Sequence, residues 1–199
     1  VHAVVMAAGE GRRLRPLTER WPKPMLPIDG RPVVASLARE LAAAGLTQVT
    51  VVTGHLAEQV EQLLGDGSAF GLALRYVHQP VADGSADAVR RAVAAGARPP
   101  LVVSAADTLY TAGDVRVFSD SFAASGASSA IAVRPGGGWA PLWGLSEEVT
   151  RLLDDLPGPP FELLEAVERV GEVARIQIGK TRDLTDPLDL VKENFPYLR

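Results

Sequence analysis

The chain contains no cysteine, which excludes disulfides and thiolate metal sites and is compatible with a reducing compartment. It has no apolar run approaching the roughly 18–20 residues of a membrane-spanning helix. Its histidines, His2, His55 and His78, have no metal-ligand spacing and read as packed or solvated side chains. The start, VHAVVMAAG, lacks the charged leader and cleavage pattern of a secretory signal. These absences lead us to expect a soluble, cytoplasmic protein. A net charge of −4 argues against a general binder of nucleic acid or of anionic membranes. No internal repeat or low-complexity linker divides the 199 residues, and 47% hydrophobic content suits a single domain, residues 1–199, with a sizeable core.

What is present is unevenly placed. Six of the 20 basic residues (Arg12, Arg13, Arg15, Arg20, Lys23 and Arg31) fall in the first 31 positions, so a local anion site is expected on an acidic protein. Residues 6–27 read MAAGEGRRLRPLTERWPKPMLP. Gly9 and Gly11 can adopt φ > 0 and leave the backbone bare for close approach. Arg12, Arg13 and Arg15 offer forked donors to phosphate oxygens. Lys23 lies between Pro22 and Pro24, which restrict the backbone on both sides. The segment is not a Walker A loop, because no Gly-Lys-Ser/Thr closes it, and it lacks the third glycine of GxGxxG. By itself the Gly-x-Gly reads equally as a tight turn with solvated arginines, but the order suits a loop around a nucleoside triphosphate.

Short apolar strands alternate with helices of about ten residues. Strands are expected at 1–6, 49–52, 72–77, 101–104, 128–133 and 173–178, with a further strand running through Trp143. Helices are expected from Pro32 to Gly45, at 56–64, 85–95 and 113–124, from after the loop at 156–160 to Val170, and from Asp186-Pro187 to Asn194. This alternation implies an α/β fold of right-handed βαβ units, with a largely parallel sheet covered on both faces. Ligands collect at the carboxyl ends of such strands, where the glycine turn and Asp107 both fall.

The 6–27 segment resembles the signature of the sugar-1-phosphate nucleotidylyltransferases. It matches at Met6–Gly9, Gly11, Arg13, Leu14, Pro16–Thr18, Pro22–Met25 and Pro27, with Arg12 where a threonine is common. The resemblance implies a three-layer α/β/α, Rossmann-like nucleotidyltransferase fold with a mainly parallel, mixed sheet. It further implies transfer of a nucleoside monophosphate from an NTP to a sugar 1-phosphate, with Mg2+ as cofactor and pyrophosphate as the second product. In that reading Arg13 holds the leaving pyrophosphate, and Lys23 neutralises charge on the reacting phosphates. Ala8, Gly9 and Gly11 contact the nucleotide through the backbone. Gln79, followed by Gly84-Ser85-Ala86, matches the family's base-binding spacing, and a glutamine amide can both donate and accept.

Asp107, just beyond an apolar strand, is the first magnesium candidate; without the resemblance it reads as a turn cap. The family pairs it with a C-terminal aspartate. One alignment puts Gln177 there; a better one takes Asp183, recovering Pro187, Asp189, Leu190 and Asn194 together. Asp186 and Asp189 then read as helix-start residues. Nucleotidyl transfer onto an already ionised phosphate needs alignment and electrostatic stabilisation rather than a strong base. One departure concerns the acceptor: the family's mid-chain Glu-x-x-Pro-Lys type element is absent, and lysine occurs only at 23, 180 and 192. A non-sugar acceptor such as phosphocholine therefore stays open; a nucleotide sensor without turnover is a separate alternative, against which the retention of Lys23, Asp107 and Asp183 speaks, and homo-oligomerisation is open as well. Trp139 and Trp143 read as acceptor-pocket or core residues.

Overall fold

The computed structural model describes residues 1–155 and 162–195. Strand β1 (His2–Ala7) is followed by three 3-10 turns at Arg12–Leu14, Leu17–Glu19 and Lys23–Met25, then by a hairpin of β2 (Pro27–Ile28) and β3 (Arg31–Pro32). Then come α1 (Val33–Ala43), β4 (Gln48–Thr53), α2 (Ala57–Leu64), β5 (Ala73–His78) and α3 (Ser85–Ala94). β6 (Leu101–Ala105), β7 (Thr108–Leu109), α4 (Asp114–Ser125), β8 (Ser129–Val133) and β9 (Trp139–Leu145) follow. The chain continues through α5 (Glu147–Asp155), α6 (Leu163–Val170), β10 (Ala174–Gln177), β11 (Arg182–Asp183) and α7 (Pro187–Asn194). The expected loop at 156–160 lies outside the described residues. Among the described residues no helix is long and apolar enough to cross a membrane.

Seven strands form one sheet in the order β10-β8-β9-β6-β1-β4-β5. β1 pairs in parallel with both β4 and β6, whereas β9 runs antiparallel to β6 and β8. The sheet is therefore mixed, as expected. Its order reverses at β1, since the chain builds outward to β5 and then returns to β1's other side. A crevice opens at the carboxyl ends of strands flanking such a reversal.

The central strands are apolar throughout because both faces are covered. On one face α1, α2 and α4 pack with Val5, Val51, Val102 and Phe118. On the other, α3, α5 and α6 pack with Val4, Val103, Val149 and Leu163. A third, smaller cluster joins Leu14, Leu26, Ile28, Val33 and Leu184, all at most 5% exposed. It lies outside the sheet and fastens the phosphate-loop candidate to the C-terminal segment.

Two short ladders lay foundations for the site. Asp29 and Gly30, both at positive φ, turn the β2–β3 hairpin. β11 pairs antiparallel with β7, setting Asp183 opposite Thr108. The α7 start is a capping box: Asp186 accepts from the Leu188 N–H, and Asp189 accepts from the Asp186 and Thr185 N–H groups. Those N–H groups hold the Asp189 carboxyl below the ordinary carboxylate range. Asn194 then clamps the hairpin, accepting from Gly30 N–H and donating to the Pro27 carbonyl.

Leu14→Ala should lower stability by about 2–5 kcal/mol, the range for emptying a fully buried leucine site. Urea denaturation followed by circular dichroism measures it. A loss within about 0.5 kcal/mol, typical of surface positions, would show that the third cluster carries no structural load.

Candidate active site

β1 delivers the chain to Ala8 and Gly9 at the crevice. Gly54 lets β4's exit pass directly beneath: a Cβ there would lie 2.9 Å from the Ala8 carbonyl oxygen and Cβ. Gly11 sits at φ +61°, and a Cβ on it would meet Thr18 Cγ2 at 2.8 Å. The Thr18 hydroxyl donates to the Gly11 carbonyl at 2.8 Å, closing the loop on itself. His55 Nε2, 2.6 Å from the Thr18 carbonyl, must carry its proton there, and the Gln59 amide donates to the Arg20 carbonyl. The histidine reading as a packed side chain agrees with this contact. What sequence presents as a loose Arg-rich loop is thus a train of 3-10 turns tied down to α2.

Within that train the cations divide. Arg12 and Arg15 meet Glu10 at the rim, at 2.8 and 3.6 Å, and the Arg12 hydrogen bond holds the Glu10 carboxyl below its ordinary range. Lys23 is deeper. Its side chain is 18% exposed and its ammonium forms an ion pair with the Asp107 carboxylate, two residues beyond β6. Pro22 in extended conformation and Pro24 in the following 3-10 turn fix the Lys23 backbone.

A cavity of about 420 Å³ lies between these elements, within the range of small-molecule sites. Nine of the ten residues singled out from sequence line it: Ala8, Gly9, Gly11, Arg13, Lys23, Gln79, Gly84, Ser85 and Asp107. Asp183 does not. It stands beside the cavity in the β11–β7 ladder, opposite the residue after Asp107. Both carboxylates act on one buried hydroxyl, that of Tyr110, which bonds to Ser104 and the Pro141 carbonyl. Burial, then Asp107 and Asp183, push that phenol well above its ordinary value.

Gln79 is buried, and its NH₂ donates to the Gly84 carbonyl at 3.2 Å and to Asp87 at 2.8 Å. Both amide donors are thereby used, which leaves the carbonyl oxygen as the group that can meet a ligand. The expected double role is reduced to acceptance. The Ser85 hydroxyl donates to Glu162 at 2.7 Å and accepts from the Leu163 N–H at 2.6 Å, so it fastens α3 to the start of α6. Glu162 and Thr185 also line the cavity and were not singled out from sequence. Glu162 stands in no motif and Thr185 at an unassigned position between Asp183 and Pro187; the docking of α6 and the β11 segment brings them there. Trp143 is core, whereas Trp139 is half exposed outside this cavity.

The donor set fits magnesium. Among the described residues no three His, Asp or Glu side chains gather as a closed cage. Asp107, in the turn between β6 and β7, and Asp183, in β11, are hard oxygen donors, and magnesium characteristically uses one or two carboxylates together with substrate phosphates.

A family model described as nucleotidyl transferase matches residues 2–136. The chain belongs to that family. It is 41% identical over 78 residues to the N-acetylmuramate alpha-1-phosphate uridylyltransferase of Neisseria meningitidis, a match covering 39% of the chain and 34% of that protein. It is 48% identical over 77 residues to the mannose-1-phosphate guanylyltransferase of Mycobacterium tuberculosis, covering 39% and 21%. The matched stretch thus spans about a third and about a fifth of these relatives' lengths. In fold it is similar to a candidate glucose-1-phosphate thymidylyltransferase of Bacillus anthracis solved with sucrose, with TM-score 0.86 and 18% identity over 97% of the chain and 93% of that structure.

Gly11→Ala should cost about 1–3 kcal/mol through its positive φ and the Thr18 contact. It should also weaken binding of a fluorescent NTP analogue by about tenfold or more. An unchanged titration curve would mean that the loop geometry does not set nucleotide affinity.

Proposed function

We propose that the chain is a cytoplasmic enzyme that transfers a nucleoside monophosphate from an NTP to a sugar 1-phosphate, releasing pyrophosphate, with Mg2+ bound. The observation that carries this reading is the convergence, in one cleft, of the glycine turn, Arg13, the Lys23–Asp107 pair and Gln79. The relatives named above, although matched over part of their length, support the same substrate class.

In this reading the bare backbone at Gly9 and Gly11 approaches the triphosphate, and the Gln79 carbonyl accepts from the base. Arg13 holds the β- and γ-phosphates. The ionised acceptor phosphate attacks the α-phosphorus in line; a P–O bond forms there as the bond to the β-phosphate bridging oxygen breaks, and pyrophosphate leaves. Lys23 lets go of Asp107 and places its charge on the reacting phosphates, the electrostatic stabilisation such a transfer requires. Asp107 and Asp183 would hold the magnesium ion, which supplies further charge neutralisation when bound. No side chain need remove a proton from the nucleophile.

A second acceptor class has specific support. Between Ile131 and Glu162 there is no lysine, and only the tight turn 134–138 joins β8 to β9. An alcohol phosphate therefore stands as the alternative acceptor.

Mixing each of the five common NTPs with a panel of sugar and alcohol phosphates, and reading pyrophosphate, decides between these classes. Saturable NTP binding with no release anywhere on the panel would replace the enzyme by a sensor. With the best pair, Lys23→Ala should lower kcat by about 10²–10⁴-fold while the far-ultraviolet circular dichroism stays unchanged. Near-normal turnover in that variant would remove Lys23 from the chemistry.

A further inference from the structure

The nucleotide half of the cleft is furnished with cations, but the acceptor half requires one too. A phosphate that attacks another phosphate must be held against like-charge repulsion. Lys23 is committed to Asp107 and the triphosphate, and Arg12 and Arg15 share Glu10. Arg182 is chelated by Asp29 and Glu193. Between Ile131 and Glu162 the only basic residues are Arg134 and Arg151. Arg151 is an exposed partner of Glu147 on α5.

Arg134 differs from all of these. It follows the last residue of β8, a strand parallel to β10 and antiparallel to β9, so it emerges at the same sheet edge as Asp107. Its Nη2 stands 4.0 Å from the Asp183 carboxylate, at the outer limit of an ion pair and beyond hydrogen-bond distance. Its Nε is buried with no hydrogen-bond partner among the described residues, and the Thr181 hydroxyl, two residues before Asp183, is likewise buried and unpartnered. These two are brought to one edge because Ile178 N–H bonds to the Val133 carbonyl, so that residues 178–183 cross from the end of β8 to β7. Buried donors without acceptors are rare and carry a desolvation cost that a ligand oxygen removes.

We propose that Arg134 binds the acceptor's phosphate, its guanidinium fork donating to the phosphate oxygens with the Thr181 hydroxyl as a further donor. This assignment rests on the nucleotidyl-transfer reading. It explains how the chain manages without a mid-chain lysine, and it makes the acceptor's phosphate, rather than its organic part, the group recognised at this edge.

The test uses the full chain saturated with a non-transferable α,β-methylene NTP analogue, and inorganic phosphate as the probe, titrated by calorimetry. Arg134→Ala should weaken phosphate binding by about tenfold or more, the cost of losing a charge-assisted contact. Arg134→Lys should lose less, and Thr181→Val should show a smaller loss in a fold that keeps both charges. Nucleotide affinity, and Mn2+ affinity measured by electron paramagnetic resonance, should stay within about twofold in all three. Phosphate binding that is absent in the wild type or equal in Arg134→Ala overturns the assignment while leaving nucleotidyl transfer intact. A parallel fall in Mn2+ affinity also overturns it, because Arg134 would then only position Asp183. Failure of the wild type to bind any NTP analogue defeats the transfer reading itself, and this assignment with it.

Discussion

Burial of Leu14 against Leu26, Ile28, Val33 and Leu184 is the contact on which the geometry of the cleft depends. These side chains come from opposite ends of the sequence, and two of them adjoin candidate site residues: Arg13 precedes Leu14, and Asp183 precedes Leu184. Apolar burial is non-directional, so the cluster alone would allow the segments to slide. Register comes from the β11–β7 ladder and from the hydrogen bonds of Asn194 and Arg182 to the β2–β3 hairpin. Greasy contact supplies the cohesion and backbone pairing supplies the alignment.

The glycine-rich loop shows the same division of labour. Its alanine-glycine backbone is pressed against Gly54, and its turn is closed by Thr18 and overseen by His55. The side chains that remain free of such duties are the cations. Rim arginines partnered by Glu10 stay highly solvated, and surface pairs of that kind contribute little to stability. Lys23, by contrast, is held by two prolines and an acidic partner in a partly enclosed position. A fixed charge in a low-dielectric recess interacts more strongly than a solvated one.

Much of this could be read from residues alone where a local cause was decisive. The apolar strands β1, β4, β5, β6, β8 and β10 stood out by composition, and Asp186-Pro187 announced α7. Helix α5 is missing from the expected elements, which pass from the strand through Trp143 directly to the loop at 156–160. The signal was there in Ser146, whose hydroxyl accepts from the Val149 N–H, and in Val149 and Leu153 on one buried stripe. The antiparallel course of β9 and the β11–β7 ladder had no such signal, since pairing partners are chosen by tertiary packing. Gln79, Asp107 and Lys23 were singled out through the resemblance, and the fold then gathered them at one cavity. Glu162 reaches the cavity only through docking of α6, whereas Arg134 directly follows β8 and Thr185 lies between Asp183 and Pro187, places the sequence marks without giving those two residues a role.

The ion pair between Lys23 and Asp107 has a thermodynamic consequence. While they are paired each neutralises the other, so neither presents a full charge to an incoming molecule. An anion that draws Lys23 away leaves an uncompensated carboxylate, and a cation that takes Asp107 leaves an uncompensated ammonium. Each event lowers the work required for the other, and by linkage the benefit is reciprocal. The pair thereby favours joint arrival of opposite charges over either alone.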